Sequence, residues 1–397
     1  MDPVSNPYSP GAGATPPALA GRDAVLADFD VAVRRLALGR HANSVVLTGL
    51  RGVGKTVLLR EFERIAMAHG WSARTVEAGT DAAFVEDIGM AMREALLELS
   101  ASARMAQRGR RALGVFRSFQ VTWRLPEAGE VAAGFDAAPG RADSGLLARD
   151  LRALFSEVGA LARERGAGVL LTVDEVQFLK REHLEALIVA LHRMAQDRLP
   201  LLVAAAGLPS VPGRLGDARS YAERLFDFHT INSLNRADAA AAVVTPAESE
   251  GVTWRDDALE RMLSHTHGYP YFLQEFARQA WNIAPAPNEI TAADVTNALG
   301  GALAALDAGF FSVRADRTTD TERDCLVTMA ALGDGPYRLG DLDRWPDADP
   351  VASLIERGLC YAPRTGSVDF TVPLFAGFIR RRFGEGRTPS FPDAPQI

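Results

Sequence analysis

Lysine is almost absent from this chain. Of its 43 basic residues only Lys55 and Lys180 are lysines, and the other 41 are arginines. Richness in Arg, Ala and Gly reflects a coding bias, and against it a retained lysine marks a position where a guanidinium does not serve. Cysteine is as scarce, with only Cys325 and Cys360. That excludes a disulfide scaffold, makes a reducing cytoplasm the expected compartment, and leaves both thiols to be read as core. No uninterrupted apolar run approaches the roughly 18 residues of a membrane helix; the longest, residues 199–211, contains Pro200 and Pro209. The first residues lack the basic start and apolar core of a secretion signal. A net charge of −7 gives no overall pull toward nucleic acid. His265 and His267 do not combine with either cysteine in a metal-ligand spacing. A nucleophile elbow of the Gly-x-Ser-x-Gly kind is missing as well.

What is present is ordinary globular material. Hydrophobic residues make up 47% and charged residues 23%, which excludes a wholly disordered chain, and 397 residues suggest two or three domains. Residues 1–17, rich in Pro, Gly, Ser and Ala, are expected as a disordered or draped tail. Val25, Phe29, Val33 and Leu36 keep helical spacing over 23–38. From Ser44 the pattern alternates. Strands are expected at 44–48, 73–77, 169–173 and 201–206, and helices at 56–68, 82–99, 146–165 and 181–196. Continuous apolar strands alternating with helices imply a parallel sheet covered on both faces. Residues 101–145, with scattered Gly and Pro, read as an insertion with mobile parts, and 116–123 as an extra strand. Residues 235–312 read all-helical, with helices at 236–249, 256–266, 269–282 and 291–310.

Gly49-Leu50-Arg51-Gly52-Val53-Gly54-Lys55-Thr56 matches G-x-x-x-x-G-K-[ST] in full. The order is chemical. Glycines let the backbone wrap a phosphate with its N–H groups inward. The helix that follows, through Val57, presents its positive end to the same anion. Lys55 is placed to reach the β- and γ-phosphates of ATP, and the Thr56 hydroxyl to ligate Mg²⁺. Downstream, Val169-Leu170-Leu171-Thr172-Val173-Asp174-Glu175 is an apolar run ending in two carboxylates, a Walker B arrangement. Asp174 would hold Mg²⁺ and Glu175 would polarise the attacking water. The plain alternative for the pair is an Asp-Glu helix cap.

These two motifs in this order resemble the AAA+ and STAND branches of P-loop ATPases. In particular the chain resembles archaeal-type ATPases and origin-recognition initiator-like ATPases over residues 18–383. Three further stretches carry the likeness: Gly21-Arg22-Asp23, Ala205-Ala206-Gly207-Leu208-Pro209, and His267-Gly268-Tyr269-Pro270. The resemblance implies an α/β P-loop NTPase core over 18–234, an all-helical lid over 235–313, a winged helix-turn-helix over 314–387 and a tail at 388–397. It also implies that Gly21 and Arg22 lie near the adenine and Pro270 near the nucleotide. Without it, Gly21 ends a turn and Pro270 starts a helix. Two departures stand out. The sensor 1 region carries Ala206 and Gly207, with Ser210 the nearest hydroxyl. The sensor 2 region carries Pro270 and Tyr271, with Arg278 the nearest arginine. Both point to a slow, switch-like enzyme rather than a fast motor.

Arg224 resembles the arginine that some AAA+ proteins offer to a neighbour's γ-phosphate, which would make it catalytic across an assembly. Its plain reading is a cation at a helix end; Arg214 and Arg219 are weaker candidates. At the C-terminus, helices at 321–332, 337–342 and 351–357 and strands at 358–362 and 368–372 are similar to a winged helix. Residues 314–387 hold eleven basic and twelve acidic side chains, a poor footprint for DNA, with Arg380-Arg381-Arg382 the one basic cluster. Phe310, Phe311, Phe375 and Phe378 read as core.

Sequence therefore points to a Mg²⁺-dependent ATPase that couples nucleotide state to conformational change or assembly. Its expected partners are ATP and ADP, other copies of the chain through Arg224, and a protein or duplex DNA at the winged helix. The alternatives are an initiator-like or regulatory DNA-binding protein whose assembly ATP controls, and a nucleotide-binding scaffold with negligible turnover.

Overall fold

The computed structural model describes residues 1–11, 13, 15–79, 81–101, 107–126, 136–342 and 349–384. The tail expected at 388–397 lies outside them. The chain divides into two compact units. One comprises Gly21–Gly49 and Gly54–Asn232, the other Met1–Ala20, Leu50–Val53 and Ser233–Ile397.

The first unit runs α1 (Asp23–Ala37), β1 (Ser44–Thr48), α2 (Lys55–Ala68), β2 (Ser72–Glu77), α3 (Asp81–Ala101), α4 (Gln107–Thr122) and α5 (Leu147–Glu164). It continues with β3 (Val169–Asp174), α6 (Arg181–Asp197), β4 (Leu201–Gly207), α7 (Val211–Ala218) and β5 (Phe226–Thr230). Its sheet is parallel, in the order β2-β3-β4-β1-β5. Every residue of β1 and β4 is buried, as the unbroken apolar runs require of strands covered on both faces. The register aligns the strand ends: Thr48 lies opposite Gly207, and Val173 opposite Ala205. The loop after β1 and the carboxylates after β3 thus leave the same edge of the sheet, the carboxyl edge where such sheets bind ligands. β5 escapes sequence reading because it is an edge strand paired only with β1, and Asp227, Phe228 and Thr230 on it are exposed.

One expectation fails here. Residues 116–123 are not a strand: Phe116 to Thr122 lie in α4. The β-forming residues misled because the deciding pattern is helical. Ala112, Leu113, Val115, Phe116 and Phe119 are buried together against α3 and α5. Packing overrides local propensity at this point.

The second unit contains α8 (Arg236–Ser249), β6 (Thr253–Trp254), α9 (Asp256–Thr266), α10 (Pro270–Ile283), β7 (Glu289–Ile290), α11 (Ala292–Leu306), a π turn (Asp307–Phe311) and α12 (Ser312–Ala315). The stretch is not wholly helical, since β6 and β7 pair in parallel. By length and composition the helical run Ala292–Ala315 could cross a membrane, with a mean hydropathy of 1.2. Within the unit it packs on α9 and α10, and Asp307 on it binds the Arg381 guanidinium through two hydrogen bonds. Then come α13 (Asp320–Ala331), β8 (Tyr337–Arg338), a 3-10 turn (Leu339–Leu342), α14 (Pro350–Glu356), β9 (Cys360–Tyr361), β10 (Ser367–Phe370) and α15 (Phe375–Phe383). The expected helix at 337–342 begins instead as a strand, because Tyr337 and Arg338 pair with Val368 and Ser367 in a three-stranded sheet ordered β8-β10-β9. Phe311, Phe375 and Phe378 form one buried aromatic cluster, with ring centroids 5.3 to 5.6 Å apart.

Residues 1–9 take the draped form, not the disordered one. Tyr8 is buried edge-on between Trp254 and Trp281. Its hydroxyl donates to the Val243 carbonyl at 2.5 Å and accepts from the Trp254 indole at 2.9 Å. The Trp281 indole donates to the Asp2 carbonyl, and the Asn6 amide to Asn282. A low-complexity composition conceals these anchors, each of which depends on one side chain.

Candidate nucleotide site

The turn from β1 into α2 is held by backbone that only glycine adopts easily. Gly54 is the N-cap of α2 with φ +96°, and Gly52 has φ +85°. α2 therefore begins at Lys55 with no side-chain hydrogen bond from its N-cap, a helix start of the kind that suits an anion. Lys55 lies back over the turn, its ammonium donating to the Gly49 carbonyl at 2.9 Å. The Gly49 N–H is tied to the Gly207 carbonyl at the end of β4. Val57, the third residue of the helix, is buried.

Thr56 and Asp174 meet. The threonine hydroxyl donates to Asp174 Oδ2 at 2.6 Å, and Asp174 Oδ1 accepts the Glu175 N–H at 2.8 Å. A hydroxyl and a carboxylate converging beside a phosphate-type loop are the hard oxygen donors that suit Mg²⁺. Glu175 sits just past the strand with φ +52°, a left-handed conformation that turns its side chain out of the strand path. Its carboxylate accepts a hydrogen bond from the Gln177 amide.

Gln177 is the residue that sequence reading missed. It is buried, and its Oε1 accepts the Leu208 N–H at 3.1 Å. One side chain thus links the acidic end of β3 to the chain leaving β4. The available signal was its position two residues after Glu175, in Asp174-Glu175-Val176-Gln177. Gly207 makes room for it: a Cβ there would lie 2.7 Å from Gln177 Oε1 and 2.6 Å from Val211. Ser210, the nearest hydroxyl downstream, is exposed at the N-cap of α7 and caps nothing with its side chain.

The loop tip Leu50–Val53 groups with the second unit. There Val53 is buried, and Arg51 offers its carbonyl to the Tyr269 hydroxyl and its Nε–H to the Gly358 carbonyl at 3.2 Å. Gly52 faces Tyr269 and Tyr271, and a Cβ would approach them to 3.1 and 3.3 Å. Tyr269 is the N-cap of α10 and Pro270 its first residue. Gly268 before them has φ +68°, and a Cβ there would strike the Leu234 carbonyl at 2.2 Å. Burial pushes the Tyr269 hydroxyl's pKa up, so it stays a protonated donor.

The remaining candidates make local contacts of their own. Gly21, with φ +68°, turns into α1, and Arg22 donates to the Asn232 carbonyl at 2.7 Å. Arg278 is engaged on its own helix by Glu275 at 2.6 Å. Arg224 ends a 3-10 turn (Ala222–Arg224), is exposed, and makes no ion pair among the described residues. By contrast Arg214 donates to the Leu179 carbonyl and Arg219 pairs with Glu185.

Comparisons with known proteins agree with the P-loop ATPase fold. Residues 18–204 match the AAA ATPase domain family (AAA_16), and residues 308–379 match a domain of unknown function (DUF8462). No curated protein sequence matches the chain. Among solved structures, the Walker-type ATPase PABY2304 of Pyrococcus abyssi is similar at 15% identity and TM-score 0.54, over 91% of this chain and 96% of that one. The Aeropyrum pernix ORC1 protein, solved in complex with DNA, follows at 14% identity and TM-score 0.48, over 93% and 94%. The Thermotoga maritima RuvB Holliday junction branch migration motor follows at 14% and 0.47, over 90% and 96%. Residues 18–204 thus match the AAA ATPase domain family, and the chain has the fold of a P-loop ATPase.

Proposed function

We propose that this chain is a Mg²⁺-dependent ATPase of the AAA+/STAND type that hydrolyses ATP slowly and uses nucleotide state to control its conformation or assembly. The observation that carries the reading is the contact of Thr56 with Asp174 at 2.6 Å, with Lys55 and Glu175 next to them in the chain. Residues 49–57 would wrap the phosphates. Lys55 would neutralise charge on the β- and γ-phosphates, and Glu175 would accept a proton from the attacking water. Thr56 and Asp174 are the residues that would hold Mg²⁺, which would supply charge neutralisation at the phosphates. Asp174→Asn tests this. It should raise the Mg²⁺ concentration needed for half-maximal hydrolysis by roughly tenfold or more, as loss of a charged ligand does. An unchanged Mg²⁺ titration would refute the assignment.

In the same reading Gly21 and Arg22 lie toward the base and Pro270 belongs to a lid over 235–313. The order helix, strand, helical turn, helix and two strands from α13 to β10 supports a winged helix over 314–387. We favour a protein partner for it over duplex DNA. Arg380, Arg381 and Arg382 are paired with Asp334, Asp307 and Asp316, and Arg357 with Glu322. Cations already neutralised by carboxylates are poor phosphate ligands. Cys325 and Cys360 are buried free thiols, which suits a reducing compartment.

Arg224, exposed and without an ion pair among the described residues, supports a role across an assembly. Arg224→Ala should bind ATP normally yet hydrolyse it slowly, and wild-type turnover per chain should rise with protein concentration. Mixing Arg224→Ala with Lys55→Ala should restore activity, since one chain brings an intact loop and the other an intact arginine. Turnover independent of concentration, together with failed complementation, would exclude the role.

A further inference from the structure

The Walker B carboxylate does not stand alone: a buried amide fixes it to the end of the neighbouring strand. Gln177 lies in a short 3-10 turn (Val176–Phe178) directly after Glu175. Its Nε2 donates to Glu175 Oε2, and its Oε1 accepts the Leu208 N–H at 3.1 Å. The two bonds use opposite ends of one planar amide. The Leu208 N–H is buried main chain, so it orients the amide and leaves the NH₂ facing the carboxylate. The side chain is only 6% exposed, in a space closed by Val176, Gly207 and Val211.

This arrangement also accounts for the bare end of β4. AAA+ relatives are expected to carry a polar side chain near that point, and here Ala206 and Gly207 stand there. A Cβ at Gly207 would press on Gln177 Oε1 at 2.7 Å and on Val211 at 2.6 Å, so a side chain there would displace them. The polar group near the strand end is supplied from the β3 side.

We propose that Gln177 is the positioning residue for the proposed water-activating Glu175, acting through its amide NH₂ and steadied by the Leu208 N–H. The proposal rests on the reading of Glu175 as the proton acceptor. One hydrogen bond from a fixed donor removes a rotation that would otherwise carry the carboxylate away from the water, and misplacement of about 1 Å at a reacting group costs up to about a hundredfold in rate.

Two substitutions separate this role from a structural one. Gln177→Glu keeps an oxygen to accept the Leu208 N–H but replaces the donor to Glu175 with a second carboxylate. Gln177→Ala removes both links. Each is measured for ATP affinity by calorimetry, for single-turnover hydrolysis across pH and for thermal unfolding, beside wild type and Glu175→Gln. The expected result is hydrolysis about 10- to 100-fold slower in both Gln177 variants, with ATP affinity within about threefold of wild type. Gln177→Glu should also move the acid limb of its pH–rate profile upward, because adjacent carboxylates resist joint ionisation. Hydrolysis at the wild-type rate in either variant would overturn the proposal, as would a rate loss matched by an equal loss of ATP binding. If Glu175→Gln is slow while Gln177→Glu is not, only the positioning role fails. If Glu175→Gln itself hydrolyses at the wild-type rate, the reading of Glu175 falls and takes this role with it.

Discussion

Lys55→Ala should abolish tight ATP binding. The ammonium sits at the start of the helix that follows the phosphate loop, where it donates to the Gly49 carbonyl. A carbonyl is a weak partner that a triphosphate would displace. A unit charge about 4 Å from a phosphate oxygen at an effective dielectric near 20 is worth about 4 kcal/mol. Even half of that is more than a tenfold change in affinity, and the two outer phosphates share the cation. Isothermal titration should show binding weakened by about a hundredfold or more. Unfolding should change little, because the Gly49 carbonyl can turn to water. Lys55→Arg should fail almost as badly. The chain uses arginine nearly everywhere else, yet a planar fork does not fit where a compact charge must sit inside a turn of glycines. Wild-type affinity in Lys55→Ala would remove the phosphate-loop assignment and with it the basis of the proposed chemistry.

How far the sequence could be read depended on whether chemistry or packing chose the residues. The loop at 49–56 and the carboxylates at 174 and 175 could be proposed from sequence because phosphate and metal chemistry would fix residue type and spacing together. β1, β3 and β4 were legible because a strand covered on both faces is mostly apolar. Where tertiary context decides, local pattern failed. The Phe116–Phe119 pair looks β-forming until helices on either side bury it. Tyr337 and Arg338 read as helix until β10 supplies a partner. The amino-terminal segment looked loose because nothing in its composition shows that Tyr8 fits between two distant tryptophans. Gln177 escaped for a related reason: an amide is ordinary by itself, and its meaning comes from the Leu208 N–H, which is 31 residues away in the chain.

Glu175→Gln should leave ATP bound and stop its hydrolysis. The substitution is close to isosteric, and the surroundings accept it. Glutamine tolerates the φ of +52° as well as glutamate does, and its side-chain oxygen can still accept from the Gln177 amide. The Thr56 to Asp174 link does not involve the changed group, so the proposed metal ligands stay in place. What is lost is the carboxylate's capacity to take a proton from water as the bond to the γ-phosphate forms. Positioned general bases contribute about 10²- to 10⁴-fold, so single-turnover hydrolysis should fall by at least about a hundredfold. ATP affinity should stay within a few-fold of wild type, and the variant should accumulate as an ATP-bound form. That form is useful in itself: if nucleotide state sets assembly, size-exclusion profiles of Glu175→Gln with ATP and of wild type with ADP should differ. Hydrolysis at the wild-type rate would require a different proton acceptor, and the carboxylate at the end of β3 would revert to a turn-capping residue.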